Sequence, residues 1–301
     1  MNKQSTDSNL GYVQKTEDVP VTFPEQHQDV HPGVENIMPP KPIFDNLDYK
    51  GTGKLNNKVA VITGGDSGIG RAVASIYAKE GADIVIVYLN EHVDADETKK
   101  YIDGIGRKCL LIPGDLKDEN FCKSIIDKTI SEFGHLDILV NNAGVQYPQN
   151  SIEDITTQQF EDTFRTNIFS FFYLTKAAIP HLKSGSCIIN TTSITAYNGH
   201  KELIDYSSTK GAIVSFTRSL ALSLAEKGIR VNGVAPGPIW TPLIPSSFSA
   251  ECVKTFGADT PMKRAGQPVE LAPSYLYLAC EDSTYVTGQI LHINGGNCTA
   301  S

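Results

Sequence analysis

The chain of 301 residues has one tryptophan, no arginine before Arg71, and no apolar run near the ~18 residues that a membrane span needs. Nothing in it is therefore expected to cross a membrane. The start has neither an apolar core nor an arginine-rich stretch, so no secretory signal or transit peptide is readable and a cytoplasmic protein is expected. A basic surplus is also missing. The 26 Lys and Arg face 34 Asp and Glu, a net charge of -8, and phosphate binding depends on clustered cations, which excludes nucleic acid and anionic lipid as partners. The six cysteines (Cys109, Cys122, Cys187, Cys252, Cys280, Cys298) contain no C-x-x-C pair. They are expected to be reduced thiols used as small apolar residues, with no metal site.

Composition changes near residue 55. Residues 1–54 hold six of the 16 prolines, eight acids against five lysines, and only 15 hydrophobic residues. Such a stretch cannot offset its ordering entropy by burial, so 1–54 reads as a Pro-rich arm and 55–301 as the one folded domain. From Lys58 onward, short β-branched runs (Val59–Thr63, Ile84–Tyr88, Cys109–Ile112, Ile138–Asn141, Cys187–Thr192, Val231–Ala235, Ile290–Ile293) alternate with amphipathic stretches. Strands apolar on both sides and separated by helices imply an α/β fold, a doubly wound parallel sheet of about seven strands.

The first run leads directly into Thr63-Gly64-Gly65-Asp66-Ser67-Gly68-Ile69-Gly70-Arg71 and then a helical pattern. Glycines let the backbone approach a diphosphate, and a helix N-terminus offers it unpaired N–H groups and partial positive charge. Further groups follow in order. Asn141-Asn142-Ala143-Gly144 ends the fourth run, Ser193 ends the fifth, Tyr206 lies thirteen residues later with Lys210 four beyond, and Pro236-Gly237 ends the sixth. In identity, order and spacing this set resembles the short-chain dehydrogenase/reductase family over about residues 55–298. The arm resembles the extension of a subgroup found among bacterial stress-related and plant seed dehydrogenases.

Two Tyr-x-x-x-Lys spacings occur, against about 0.8 expected by chance from 12 Tyr and 20 Lys. Tyr197–Lys201 encloses Asn198-Gly199, a turn signal that would not hold its ends on one helical face. Tyr206 opens a pattern continuous with Phe216, Leu220 and Leu224 at helical spacing, which puts its phenol and the Lys210 ammonium on one face. Hydride transfer to a carbonyl leaves an oxygen that needs a proton, and a free phenol with pKa ~10 needs help to act as base in reverse. Lys210 and a positive nicotinamide ring are expected to lower it. Ser193 is expected to donate to the substrate oxygen.

The resemblance further implies that Lys210 binds the nicotinamide ribose, and that Asn167, in a helical pattern from Thr157 to Leu182, holds a water linking Lys210 to solvent. Gly64, Ser67, Gly68, Ile69 and Gly70 would surround the diphosphate. Asp115 and Leu116 would meet adenine, and Asn142, Ala143 and Gly144 the ribose side. Pro236, Gly237, Ile239 and Thr241 would flank the nicotinamide, with the catalytic Tyr206 and Lys210 also contacting the cofactor. The cofactor is NAD or NADP. The second run ends Tyr88-Leu89-Asn90 with neither a carboxylate nor a base at its mouth, Glu91 lying just past it, and the absence of a repelling carboxylate leans the expectation slightly to NADP.

Substrate contacts are expected from residues 194–204 and 238–266. The second segment, rich in Trp240, Pro242, Leu243, Ile244, Phe248, Phe256 and Met262, reads as a lid over a pocket for a small aldehyde, sugar or polyol. Three other readings stay open: a nucleotide-binding sensor or structural protein without turnover, an acyl-carrier ketoreductase, and an epimerase. A homotetramer is expected, with helices 157–182 and 206–227 pairing across a two-fold axis. Residues 1–18 read as a tail. Residues 20–54, with sparse apolar side chains such as Phe23, Met38 and Phe44 between prolines, read as a strap docked on the domain or a neighbouring subunit.

Overall fold

Residues Val59–Thr63 (β1) are buried at every position, and the side chains go alternately to opposite faces of the sheet, Ala60 and Ile62 to one core, Val59 and Val61 to the other. Asp83–Tyr88 (β2) divides the same way, Ile84 and Ile86 against Val85 and Val87. A strand apolar on both sides requires cover on both sides. The structure, a computed structural model that describes residues 19–298, supplies it with helices on each face. The sheet has seven strands in the order β3-β2-β1-β4-β5-β6-β7, all parallel. The remaining strands are Cys109–Pro113 (β3), Ile138–Asn141 (β4), Cys187–Thr191 (β5), Arg230–Pro236 (β6) and Ile290–Ile293 (β7). The chain reverses direction across the sheet between β1 and β4, which makes the carboxyl ends of these two strands the switch point where such sheets bind ligands.

One face carries Gly68–Lys79 (α1), His92–Ile105 (α2) and Pro268–Ala279 (α9), the other Glu119–Phe133 (α3), Thr157–Phe164 (α4), Ser170–Ala178 (α5) and Ile204–Leu224 (α7). Two short helices, Thr195–Asn198 (α6) and Ala250–Lys254 (α8), lie in the segments after β5 and β6. Local chemistry sets the boundaries. Asp118 and Thr156 accept from Asn120 N and Gln159 N to start α3 and α4, and Gly134 in left-handed conformation ends α3. Gln267 and Glu270 form a reciprocal capping box ahead of Pro268, the first residue of α9. Pro273 falls in the second turn of this helix, which runs on to Ala279.

Two expectations need correction. The helical pattern from Thr157 does not continue to Leu182 but ends at Ala178: Ile179 keeps helical dihedrals (φ −47°, ψ −42°), and Pro180, which has no N–H to give, stops the ladder there. It is also not uniform: Arg165–Phe169, between α4 and α5, forms a π-turn with Asn167 at its middle.

Residues 19–54 lie along the domain in two stretches. The first packs on the segment after β6. Phe23 stacks on Trp240 with ring centroids 3.8 Å apart, Gln28 N donates to Pro245 O at 2.8 Å, and the Trp240 indole N–H donates to Pro40 O at 2.9 Å. The second crosses α1 and α2. Asp45 accepts from Ser75, Lys79 and Tyr101, and Glu80 accepts from the Tyr49 hydroxyl and from the N–H groups of Thr52 and Lys54. Residues 1–18, expected as a tail, lie outside the described residues. Among the described residues no helix is long and apolar enough to cross a membrane, and no group of His, Cys, Asp and Glu could hold a metal ion.

Candidate active site

The carboxyl ends of β1, β4, β5 and β6 open into one cleft of about 1010 Å³. The glycine turn forms its floor. Gly64 (φ +61°) and Gly68 (φ +51°) hold left-handed backbone conformations that side chains disfavour. A Cβ on Gly70 would strike the Gly64 carbonyl, so this glycine serves the packing of α1 against the turn. Asn142 ties the turn to β4. Its side chain donates to Thr63 O at 3.1 Å and Gly64 O at 3.3 Å, while Thr63 Oγ1 accepts from the N–H groups of Asn142 and Ala143 at 2.9 and 3.0 Å. The glycine turn ahead of a twelve-residue helix fits a nucleotide diphosphate, with the Gly68 N–H itself already given to Glu35 at 2.6 Å.

Across the cleft, Lys210 and Tyr206 lie one turn apart on α7, both buried. The Lys210 Nζ donates to Thr191 O at 2.9 Å and lies 5.3 Å from the centre of the Tyr206 ring. Ser193, just past β5, lines the same wall, its Oγ accepting from Thr195 N at 3.1 Å. Asn167 is fully buried behind this wall. Its side chain bonds both the N–H and the C=O of Val145 (2.8 and 2.9 Å) and reaches Thr209 Oγ1 at 3.1 Å. The widened π-turn carries Asn167 to these partners, and its Oδ1 and the Lys210 Nζ converge on Gly144, 3.4 and 3.5 Å from where a Cβ would stand.

Burial dominates the electrostatics of the pair. Burial pushes the Tyr206 hydroxyl up to about 12, opposed only by Ser193. Burial also lowers Lys210, to about 7, which weakens the support its ammonium gives the phenolate. Tyr206 is accordingly a protonated phenol in the free protein.

Every other residue assigned from sequence borders the cleft: Ser67, Ile69, Asp115, Leu116, Ala143, Gly144, Pro236, Gly237, Ile239 and Thr241 included; Gly70 and Asn167 stand behind it. The second spacing, Tyr197–Lys201, is broken by Gly199 at φ +68°, which ends α6. Trp240, expected in the lid, does not face the cleft and is buried beneath the arm, while Met262 lies outside it.

Sequence reasoning missed four features. Asp205, fully buried in the first turn of α7, accepts from Tyr206 N (2.8 Å), Thr163 Oγ1 (2.8 Å) and Gln159 Nε2 (3.0 Å). Thr191 links Asn142 to the buried Tyr275 hydroxyl at 2.7 Å. Asp66 and Glu91, both buried, border the cleft where β1 and β2 end, so carboxylates are present where none was expected. His31, Pro32 and Gly33 of the arm also line it, and no local sequence signal marks them.

Comparison with known proteins agrees with this geometry. A family described as enoyl-(acyl carrier protein) reductase matches residues 64–297. The NADPH-dependent aldehyde reductase 1, chloroplastic, of Arabidopsis thaliana is 54% identical over 279 residues, covering 90% of this chain and 97% of that protein. The glucose and ribitol dehydrogenase of Daucus carota is 51% identical over 280 residues, covering 91% and 96%. Among solved structures, a short chain dehydrogenase from Burkholderia cenocepacia in complex with NADP superimposes with a TM-score of 0.77 at 29% identity, covering 81% of this chain and 99% of that one.

Proposed function

The chain belongs to the short-chain dehydrogenase/reductase family of oxidoreductases, and from that premise we propose that it transfers a hydride between NAD(P) and a small aldehyde, sugar or polyol, with Ser193, Tyr206, Lys210 and Asn167 as its working residues. The observation that carries this reading is the single wall on which Ser193, Tyr206 and Lys210 meet, with Nζ 5.3 Å from the phenol ring. The dihydronicotinamide, when bound, supplies the hydride to the carbonyl carbon. Tyr206, protonated because burial raises its pKa, gives its phenolic proton to the carbonyl oxygen, and in the oxidising direction takes it back. Ser193 donates to the same oxygen as charge develops. Lys210 holds the nicotinamide ribose, and Asn167 fixes Val145 and Thr209 around it. Gly64, Ser67, Gly68 and Ile69 receive the diphosphate, with Asp115 and Leu116 at the adenine.

NADP is the preferred cofactor in this reading, supported by the NADPH dependence named for the Arabidopsis relative and the NADP in the Burkholderia structure. Residues 1–54 act as an arm on a catalytic domain of 55–301, in a cytoplasmic homotetramer. Exposed Phe160, Phe169 and Phe172 support a covered face running from α4 through the π-turn to α5, although Phe171, Leu174 and Leu224 are buried within the chain and do not contribute to it. The test is turnover of aldehydes, sugars and polyols followed by nicotinamide absorbance, with Tyr206→Phe as control. Activity that survives this substitution would sink the mechanism, and cofactor binding without turnover of any of these would favour a sensor.

A further inference from the structure

The arm reaches the cleft at one short turn. Gln28 closes it by bonding both polar groups of Val34, Nε2 to O at 2.9 Å and N to Oε1 at 2.7 Å. The turn is also fixed from outside, Gln28 N bonding Pro245 O at 2.8 Å and His27 Nδ1 meeting Phe248 O at 2.8 Å. Gly33 lies so close to Pro242 O that a Cβ there would clash. What the turn presents is His31, which borders the cleft and packs against the Tyr147 ring, centroids 4.8 Å apart.

The imidazole stands beside the backbone of Ser246, whose N–H is already given to Pro242 O at 3.3 Å. Burial lowers the pKa of the ring, opposed only in part by Ser246, so the ring is neutral at pH 7. A neutral imidazole carries one N–H and one bare nitrogen, so in either tautomer Nε2 can pair with a hydroxyl, as acceptor or as donor. Nε2 is buried and has no partner. A buried polar nitrogen left unpaired is costly, and a ligand hydroxyl would relieve that cost. Gln146, Tyr147, His200 and Glu202 border the same cleft with further polar groups.

We propose that His31 is a substrate-specificity residue: its Nε2 hydrogen-bonds a substrate hydroxyl other than the one undergoing hydride transfer, so the arm selects polyhydroxylated substrates over plain alcohols and aldehydes. This rests on the reductase reading of the cleft but names a group outside the Ser-Tyr-Lys set and outside the family domain.

The experiment uses the full-length protein with NADP and compares kcat/KM for ribitol with that for pentan-1-ol, equal in carbon count. In His31→Phe the ratio of ribitol to pentan-1-ol should fall about tenfold, the worth of one neutral hydrogen bond, carried by KM rather than kcat. His31→Gln, which restores a polar partner, should recover part of it. Emission of Trp240, the single tryptophan, reports whether the arm stays seated, and His31→Ala replaces His31→Phe if the larger ring lifts it. An unchanged ratio in a seated variant overturns the inference, as does a wild type that prefers pentan-1-ol. If neither alcohol is turned over, the proposed function fails separately. His31 is then judged by its Nε2 nitrogen resonance, whose shift on adding ribitol supports the contact and whose constancy refutes it.

Discussion

Glu35 of the arm and Arg71 of α1 lie 2.7 Å apart, their side chains 1% and 7% exposed, and the other Glu35 oxygen accepts from Gly68 N at 2.6 Å. The arm thus supplies a carboxylate to the first turn of the helix behind the glycine loop, where the helix dipole favours negative charge. Asp94 holds the arm there from the other side, accepting from the N–H groups of Glu35 and Asn36 at 2.7 and 2.9 Å.

Removing one partner of this pair should cost more than removing both. Arg71→Met strands a carboxyl whose pKa burial already raises, and the expected loss in unfolding free energy is about 3–5 kcal/mol. Adding Glu35→Gln to Arg71→Met should recover part of that loss. Urea denaturation of the two single variants and the double variant checks it, and additive losses would count against a coupled pair.

The catalytic wall should separate binding from chemistry. Ser193→Ala is expected to lower kcat by about 10²–10³ with little change in cofactor Kd, because its donor acts on the developing oxyanion. Lys210→Ala should weaken cofactor binding and turnover together, since it is assigned a ground-state contact with ribose. Tyr197→Phe should be nearly silent. Fluorescence titration with NADPH, alongside steady-state kinetics, distinguishes these patterns.

Asp66 gives stability a definite pH dependence. Burial first, then the charge of Glu91, raises its pKa to about 7 from an ordinary 3.8. Between these values the folded protein holds a proton that the unfolded chain has lost, so this group's contribution is present at acid pH and disappears as pH rises through about 7. Asp66→Asn should therefore gain Tm relative to wild type between pH 5 and pH 8. Glu91→Gln should move the midpoint of that trend to lower pH.

Deleting residues 1–54 should expose Trp240, which loses the Phe23 ring and the Pro40 carbonyl, and red-shift its emission. With Phe23 and Met38 also leaving the core, Tm should fall by roughly 5 °C or more, since burying one such side chain is worth about 1.5–3 kcal/mol. Light scattering of the same deletion reads out whether the arm matters to assembly.

The sheet was legible because its strands are apolar on both faces, a pattern that demands helices above and below; only strand ends moved, as where Pro113 extends β3 and Thr192 falls outside β5. The site residues were legible because they sit at strand ends in fixed order. The π-turn around Asn167 was not, since it is set by partners at Val145 and Thr209 and not by any local breaker. Glu91 escaped because the chain doubles back after Tyr88: His92 N bonds Asn90 O at 2.9 Å, and a residue counted as beyond the strand returns to the cleft. Trp240 was placed by its neighbours in sequence, whereas its true partners, Phe23 and Pro40, come from the opposite end of the chain.

That distance bears on how the protein is made. The contacts of the arm with the segment after β6 and with α9 span 200 to 231 residues, so the stretch from Phe23 to Pro40 has no partner there until most of the chain has been made, whereas residues 35–54 meet α1 and α2 much sooner. Docking of that first stretch on the segment after β6 must then come late in biosynthesis, after loop closures that favour nearer contacts have been made. Interactions formed so late are absent from the folding transition state and act on the rate of unfolding. The arm is in this sense a latch on the lifetime of the native protein, and weakening it would shorten that lifetime while leaving the speed of folding untouched.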